Sequence, residues 1–205
     1  MQPLVLIGGG GHAAACIDVI LATGQFSILG ILDSKEKVGH DVMGIPIIGT
    51  DEDITTYANS ASFLITFGQF LDMRSLFYQK YSSVSFATVI SPFAYVSKTA
   101  FIGKGSIVMH HAVVNAKAVV QNNVIVNTMA LVEHDTVVEN HVHLATKSVC
   151  NGHVHVGEGS LIGSGAVVLP SCSITKNTVI AAGAVVNRSI EVSGTYAGCP
   201  AEKIK

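Results

Sequence analysis

From Ile90 onward every sixth residue is apolar: Val96, Ile102, Val108, Val114, Val120, Val126, Val132, Val138, Leu144, Cys150, Val156, Ile162, Val168, Ile174, Ile180 and Val186 complete 17 positions without exception. With 49% of the chain hydrophobic, composition alone produces such a run with odds of about 2⁻¹⁷. Two residues earlier, in the first eight hexads that follow one another from Ala94, stands a small or β-branched residue (Ala94, Ala100, Ser106, Ala112, Ala118, Val124, Ala130, Thr136). A period of six matches neither the 3.6-residue helix nor the two-residue strand. It fits a prism-shaped parallel β-helix with one hexad per face and three faces per turn. Each central aliphatic points at the axis, the small residue fills the converging corner, and three hexads advance the coil by one strand spacing, about 4.8 Å. Residues 88–187 therefore predict between about five and six coils, roughly 26 Å of rod.

The first ~85 residues obey a different rule, alternating strand-like and helix-like pieces. Pro3 to Ile7 reads as a buried parallel strand, Gly8 to Gly11 as a turn, and residues 12–23 as a helix ending at Gly24. Ser27 to Leu32, Ile45 to Ile48 and Phe63 to Phe67 read as further strands, with a helix over 70–81 and an exit segment from Val84 to Val89. This alternation predicts a small doubly wound, Rossmann-like unit. The chain divides in this reading into residues 1–86 (α/β) and 87–205 (β-helix with a C-terminal tail).

Composition narrows the function classes. Twelve basic and 14 acidic residues give a net charge of −2, no electrostatic footprint for nucleic acid or an anionic membrane. No apolar run approaches the ~20 residues of a spanning helix. A secretory leader is not expected, because the first basic residue is Lys35 and four glycines interrupt the apolar start. Four widely spaced cysteines (Cys16, Cys150, Cys172, Cys199) read as reduced thiols of a cytoplasmic protein.

The hexads, the tail Gly198 to Ala201, the turn Gly8 to His12, Gly68 with Arg74, the pair Asn127 and Thr128, and the run Glu133, His134, Asp135 together resemble one family. It is the sialic-acid O-acetyltransferase-like and nucleotide-amino-sugar N-acetyltransferase family of hexapeptide-repeat proteins, and the likeness extends over nearly the whole chain. The resemblance implies a left-handed β-helix, acetyl-CoA as co-substrate, a UDP-linked 4-amino-4,6-dideoxysugar as acceptor, no metal cofactor, and a homotrimer with active sites between subunits. Sialic-acid O-acetylation is the alternative within the class. A non-catalytic scaffold and a zinc hydratase are the alternatives outside it.

The residues themselves suggest where chemistry sits. His134 falls two places after inward Val132, near a corner, so its ring is expected off the prism; Gly152, one coil above, is expected to leave room beside it. A neutral imidazole suits removal of a proton from an attacking amine, and the family's base falls on His134. Asp135 is expected to orient that imidazole if the corner bends the chain. Gly8 to Ala13 fits a phosphate-binding turn between strand and helix, with Asp33 at the end of the next strand. Resemblance gives Gly10, Gly11, His12 and Asp33 to the nucleotide, Lys35, Gly68 and Arg74 to its phosphates, and Asn127 to the acceptor. It gives His143 to the acetyl-CoA side, where the small residues Ala145, Gly152, Gly163 and Ala181 are expected to admit the pantetheine arm. His141, His143, His153 and His155 invite a metal reading, but their spacing does not stack them in one row.

Overall fold

The computed structural model describes residues 1–68 and 71–205. In the N-terminal unit, β1 (Gln2–Ile7), β2 (Phe26–Leu32), β4 (Ile45–Gly49) and β5 (Ser62–Ile65) form a parallel sheet, with β3 (Asp41–Val42) antiparallel at one edge in the order β3-β4-β2-β1-β5. The two short elements β3 and α2 (Ile54–Tyr57) are additional to the sequence reading; neither is long enough to establish a period. Helix α1 (Gly11–Thr23) ends as expected at Gly24, whose φ of 63° supplies the left-handed cap. Strand β5 stops at Ile65, two residues before the expected Phe67, because the Thr66 hydroxyl donates to the carbonyls of Ile7 and Gly8 and turns the chain. Helix α3 spans Leu71–Lys80; the expected start at Phe70 lies outside the described residues.

Beyond Val89 the backbone winds into two-residue strands stacked in three parallel sheets. The first face begins at Val89–Ile90 and stacks Ile107–Val108, Ile125–Val126, His143–Leu144, Leu161–Ile162 and Val179–Ile180. The second face runs from Tyr95–Val96 to Val185–Val186, the third from Phe101–Ile102 to Ser173–Ile174. The inward residues from Val108 to Val186 are at most 1% exposed and form one continuous core. Ile90, in the first coil, is 38% exposed: the period assigns it to the axis, but no coil lies below to cover it. Ile190, Tyr196 and Ala201 close the other end.

The corners carry a further regularity. The third residue after each inward residue from Ile102 to Ile180 takes a left-handed φ: Gly105, His111, Lys117, Asn123, Met129, Asp135, His141, Lys147, His153, Gly159, Gly165, Ser171, Asn177 and Gly183, all between 54° and 72°. Side chains at these corners are thrown outward by a conformation most residues avoid. The N-terminal unit docks on the first face. Its helix α1 shares a core with Val89, Ile107, Met109 and Ile125, so the lower half of that face is buried and the upper half is left open.

Candidate active site

Two grooves meet on the first face. The upper, of about 690 Å³, runs along the coils past His143, Ala145, Leu161, Gly163, Val179 and Ala181. The lower, of about 630 Å³, lies between the start of α1 and the coil corner, lined by Gly10, Gly11, His12, Thr66, Asn127 and Thr128 among others. Gly68 and His143 line both. The glycine turn leaves the first amides of a 13-residue helix facing the lower groove, the arrangement that attracts phosphate oxygens.

His143 is held at the junction from both ring nitrogens. Nδ1 donates to the Gly68 carbonyl at 2.9 Å, which leaves Nε2 to accept from the Asn127 amide at 3.1 Å. Burial, aided by the nearby Arg74 cation, lowers its pKa to about 4. His12, 6.1 Å away ring to ring, is likewise pushed down to about 4, first by burial and then by Arg74. Among the described residues its Nε2 has no hydrogen-bond partner, and it is buried.

His134 stands elsewhere, on the corner between the second and third faces. Its Nδ1 lies 2.9 Å from Asp135 Oδ2. Asp135 reaches it because its φ of 57° turns the chain at the corner, whereas neighbours on a straight strand point apart. The hydrogen bond from His134, with Lys117 and His153 adding, holds the Asp135 carboxyl below the usual carboxylate range. With Nδ1–H donating its hydrogen bond to the Asp135 carboxylate, Nε2 carries the free lone pair, the configuration of a general base.

Several expected site residues stand elsewhere than the sequence reading puts them. Gly152 does not line the upper groove and does not leave open space beside His134. The His134 ring itself fills the space, and a Cβ at 152 falls 2.7 Å from its Cε1. Arg74 is not a phosphate neighbour. It is fully buried and donates to the carbonyls of Ile65, Phe67 and Asn123 and to Asn123 Oδ1, tying α3 to the coil. Asp33 does not line the lower groove, and its carboxylate is occupied: Oδ2 accepts from Gly9 N at 2.5 Å and Lys37 Nζ at 3.0 Å, and Oδ1 from Ser34 N at 2.6 Å. Burial raises its pKa, but these donors outweigh burial and hold the carboxyl below its ordinary value. It is Lys37 that meets Asp33, while Lys35 sits exposed on the turn Lys35–Lys37. His141 is buried, its Nδ1 pairing with the Asn123 amide at 2.9 Å. Ala145, Gly163 and Ala181, by contrast, come together with His143 in the upper groove, and Gly10, Gly11, His12, Gly68 and Asn127 come together in the lower.

Comparisons with known proteins follow the same division. The PglD N-terminal domain model matches residues 3–80, and the bacterial transferase hexapeptide model matches residues 153–188. The acetyltransferase domain of PglB from Neisseria gonorrhoeae FA1090 is 31% identical, with a TM-score of 0.94 and 100% of both chains covered; that domain has also been solved with acetyl coenzyme A. PerB from Caulobacter crescentus, solved with CoA and GDP-perosamine, is 31% identical at TM-score 0.90, covering 98% of this chain and 97% of that one. An uncharacterized protein, L142 of Acanthamoeba polyphaga mimivirus, is 39% identical over 107 residues, 52% of this chain but 21% of the viral one. The fold is an α/β unit followed by a left-handed parallel β-helix.

Proposed function

The chain belongs to the family of hexapeptide-repeat acetyltransferases that carry a PglD-type N-terminal domain, and from that premise we propose that it moves an acetyl group from acetyl-CoA to the amine of a nucleotide-linked 4-amino-4,6-dideoxysugar. The observation that carries this reading is the His134–Asp135 pair, hydrogen bonded through Nδ1 with Nε2 left as acceptor. The lower groove takes the nucleotide, its phosphates at the α1 amides and a polar sugar atom at His12 Nε2, which no described residue engages. The upper groove takes the pantetheine arm past Ala145, Gly163 and Ala181, so donor and acceptor meet at Gly68 and His143. His134 Nε2 accepts a proton from the amine as its nitrogen attacks the thioester carbonyl. The C–S bond then breaks, and CoA thiolate leaves and takes up a proton.

In one chain His134 lines neither groove. The site is therefore assembled between copies. The outward residues of the second face (Tyr95, Val113, Leu131, Val149, Val167, Val185) are all apolar and none is buried. We assign that face to contact with the next copy in a homotrimer, carrying His134 of one subunit to the grooves of its neighbour. No described helix is long and apolar enough to cross a membrane; our reading places the enzyme in the cytoplasm, where acetyl-CoA is available.

Assays with acetyl-CoA against UDP- and GDP-linked 4-amino sugars, and against free and CMP-linked sialic acid, test the assignment. We expect transfer to an amine of a nucleotide sugar, with the UDP form preferred. Acetylation of sialic acid alone overturns it.

A further inference from the structure

Lys117, Asp135 and His153 occupy the same corner on successive coils, each at a left-handed φ, and this column places a second imidazole next to His134. The His134 and His153 rings lie 5.3 Å apart and nearly perpendicular. One ligand atom from each of His134, Asp135 and His153 lies within 4.8 Å of the other two, the one group of its kind among the described residues. His134 and Asp135 present 53% and 34% of their side chains to solvent, and His153 is exposed. An ion bound there keeps open positions for water, as it does wherever only three protein ligands are supplied.

We propose that His134, Asp135 and His153 form a binding site for a borderline divalent cation of the zinc class, and that occupancy switches the transferase off. Two imidazoles and a carboxylate are donors that such ions take in preference to magnesium or calcium, which favour all-oxygen sets. His134 Nδ1 and Asp135 Oδ2 already lie 2.9 Å apart, and exposed His153, within 4.8 Å of both, has the freedom to close to the spacing set by bonds of about 2.0–2.2 Å. Inhibition follows from the ring's own proton. In the base form that proton sits on Nδ1, held by Asp135, and Nε2 is the acceptor. A cation on Nδ1 takes that lone pair, and the single ring proton moves to Nε2 with no net proton released. Nε2 then donates and cannot accept from an amine. The inhibitory half of this inference rests on His134 being the base; the binding half does not.

The experiment uses the full chain freed of metal with a chelator and dialysed, titrated calorimetrically with zinc chloride and optically with cobalt(II), in parallel with His153→Asn. Asparagine tolerates the left-handed corner and is a far weaker ligand, so the variant keeps its fold. The expected result is one zinc per chain for the parent and affinity lower by roughly tenfold or more for the variant, at least the cost of losing an outer-sphere partner. Each chain's turnover in zinc is compared with its own rate in chelator: the parent is inhibited at zinc concentrations that leave His153→Asn at its chelator rate. No stoichiometric binding, or unchanged affinity in the variant, overturns the site, and binding without inhibition overturns the switch. The titration contains no substrate, so its failure is separate from failure of His134 as base, which shows instead as turnover surviving in His134→Asn.

Discussion

Gly152→Ala separates the geometry of His134 from the stability of the coil. The glycine has an ordinary negative-side backbone, and the three atoms nearest its added Cβ all belong to the ring of His134, with Cε1 at 2.7 Å and Nε2 at 2.8 Å. Relief to an ordinary carbon contact requires the ring to retreat by about 1 Å or to change rotamer. The ring is half exposed, so it has somewhere to go, and folding stability is expected to change by no more than about 1 kcal/mol. Catalysis has no such latitude. Moving the ring breaks the Nδ1 contact with Asp135 or displaces Nε2, and a displacement of about 1 Å is worth on the order of 10²-fold in rate. Steady-state kinetics, with denaturant unfolding as the control, should therefore show kcat down by about 10² with KM for both substrates nearly unchanged. A variant of native stability that keeps wild-type kcat refutes the reasoning.

Other perturbations probe the junction and the grooves. Arg74→Met removes the donor to four buried oxygens and is expected to cost about 3 kcal/mol or more in denaturant unfolding. Arg74→Lys should not restore it, since a point ammonium lacks the planar fork. His12 and His143, lowered to about 4 by burial, bind protons more tightly when unfolded. Stability is then present above their unfolded pKa and lost as pH falls from about 6.5 toward 4. Unfolding at pH 5.5 against pH 7.5 should show a loss of about 1 kcal/mol per histidine, and an equal stability at both contradicts it. Ala181→Leu, in the upper groove, should raise KM for acetyl-CoA about tenfold or more while leaving the acceptor KM near its native value.

The rod was legible because each turn repeats the same local demand: an aliphatic at the axis, a small residue at the corner. Ile90 escaped that rule because burial at an open end depends on what lies below it, which a period does not record. His134 and Asp135 were legible as neighbours, and the left-handed φ of Asp135 explains why adjacency suffices there. Arg74 misled because its partners include Asn123, 49 positions along the chain; docking of α3 on the coil leaves no local signature, and a basic residue near a glycine turn resembles a phosphate ligand until its burial is seen. Gly152 was placed correctly above His134 but read in the wrong sense: the missing side chain admits the imidazole of the coil below. The separation of His134 from both grooves follows from which face the N-terminal unit covers, and no stretch of sequence states that.

The central claim, an active site completed by the next copy, is tested by mixing two inactive variants. His134→Ala keeps both grooves and lacks the base; Ala181→Trp keeps the base and has a blocked upper groove. Denatured together and refolded into mixed trimers, they should recover activity in roughly a quarter of the sites, those pairing an intact histidine with a neighbour's open groove. Each variant refolded alone should stay inactive. Mixed trimers that form in the expected proportions and remain inactive would contradict the account.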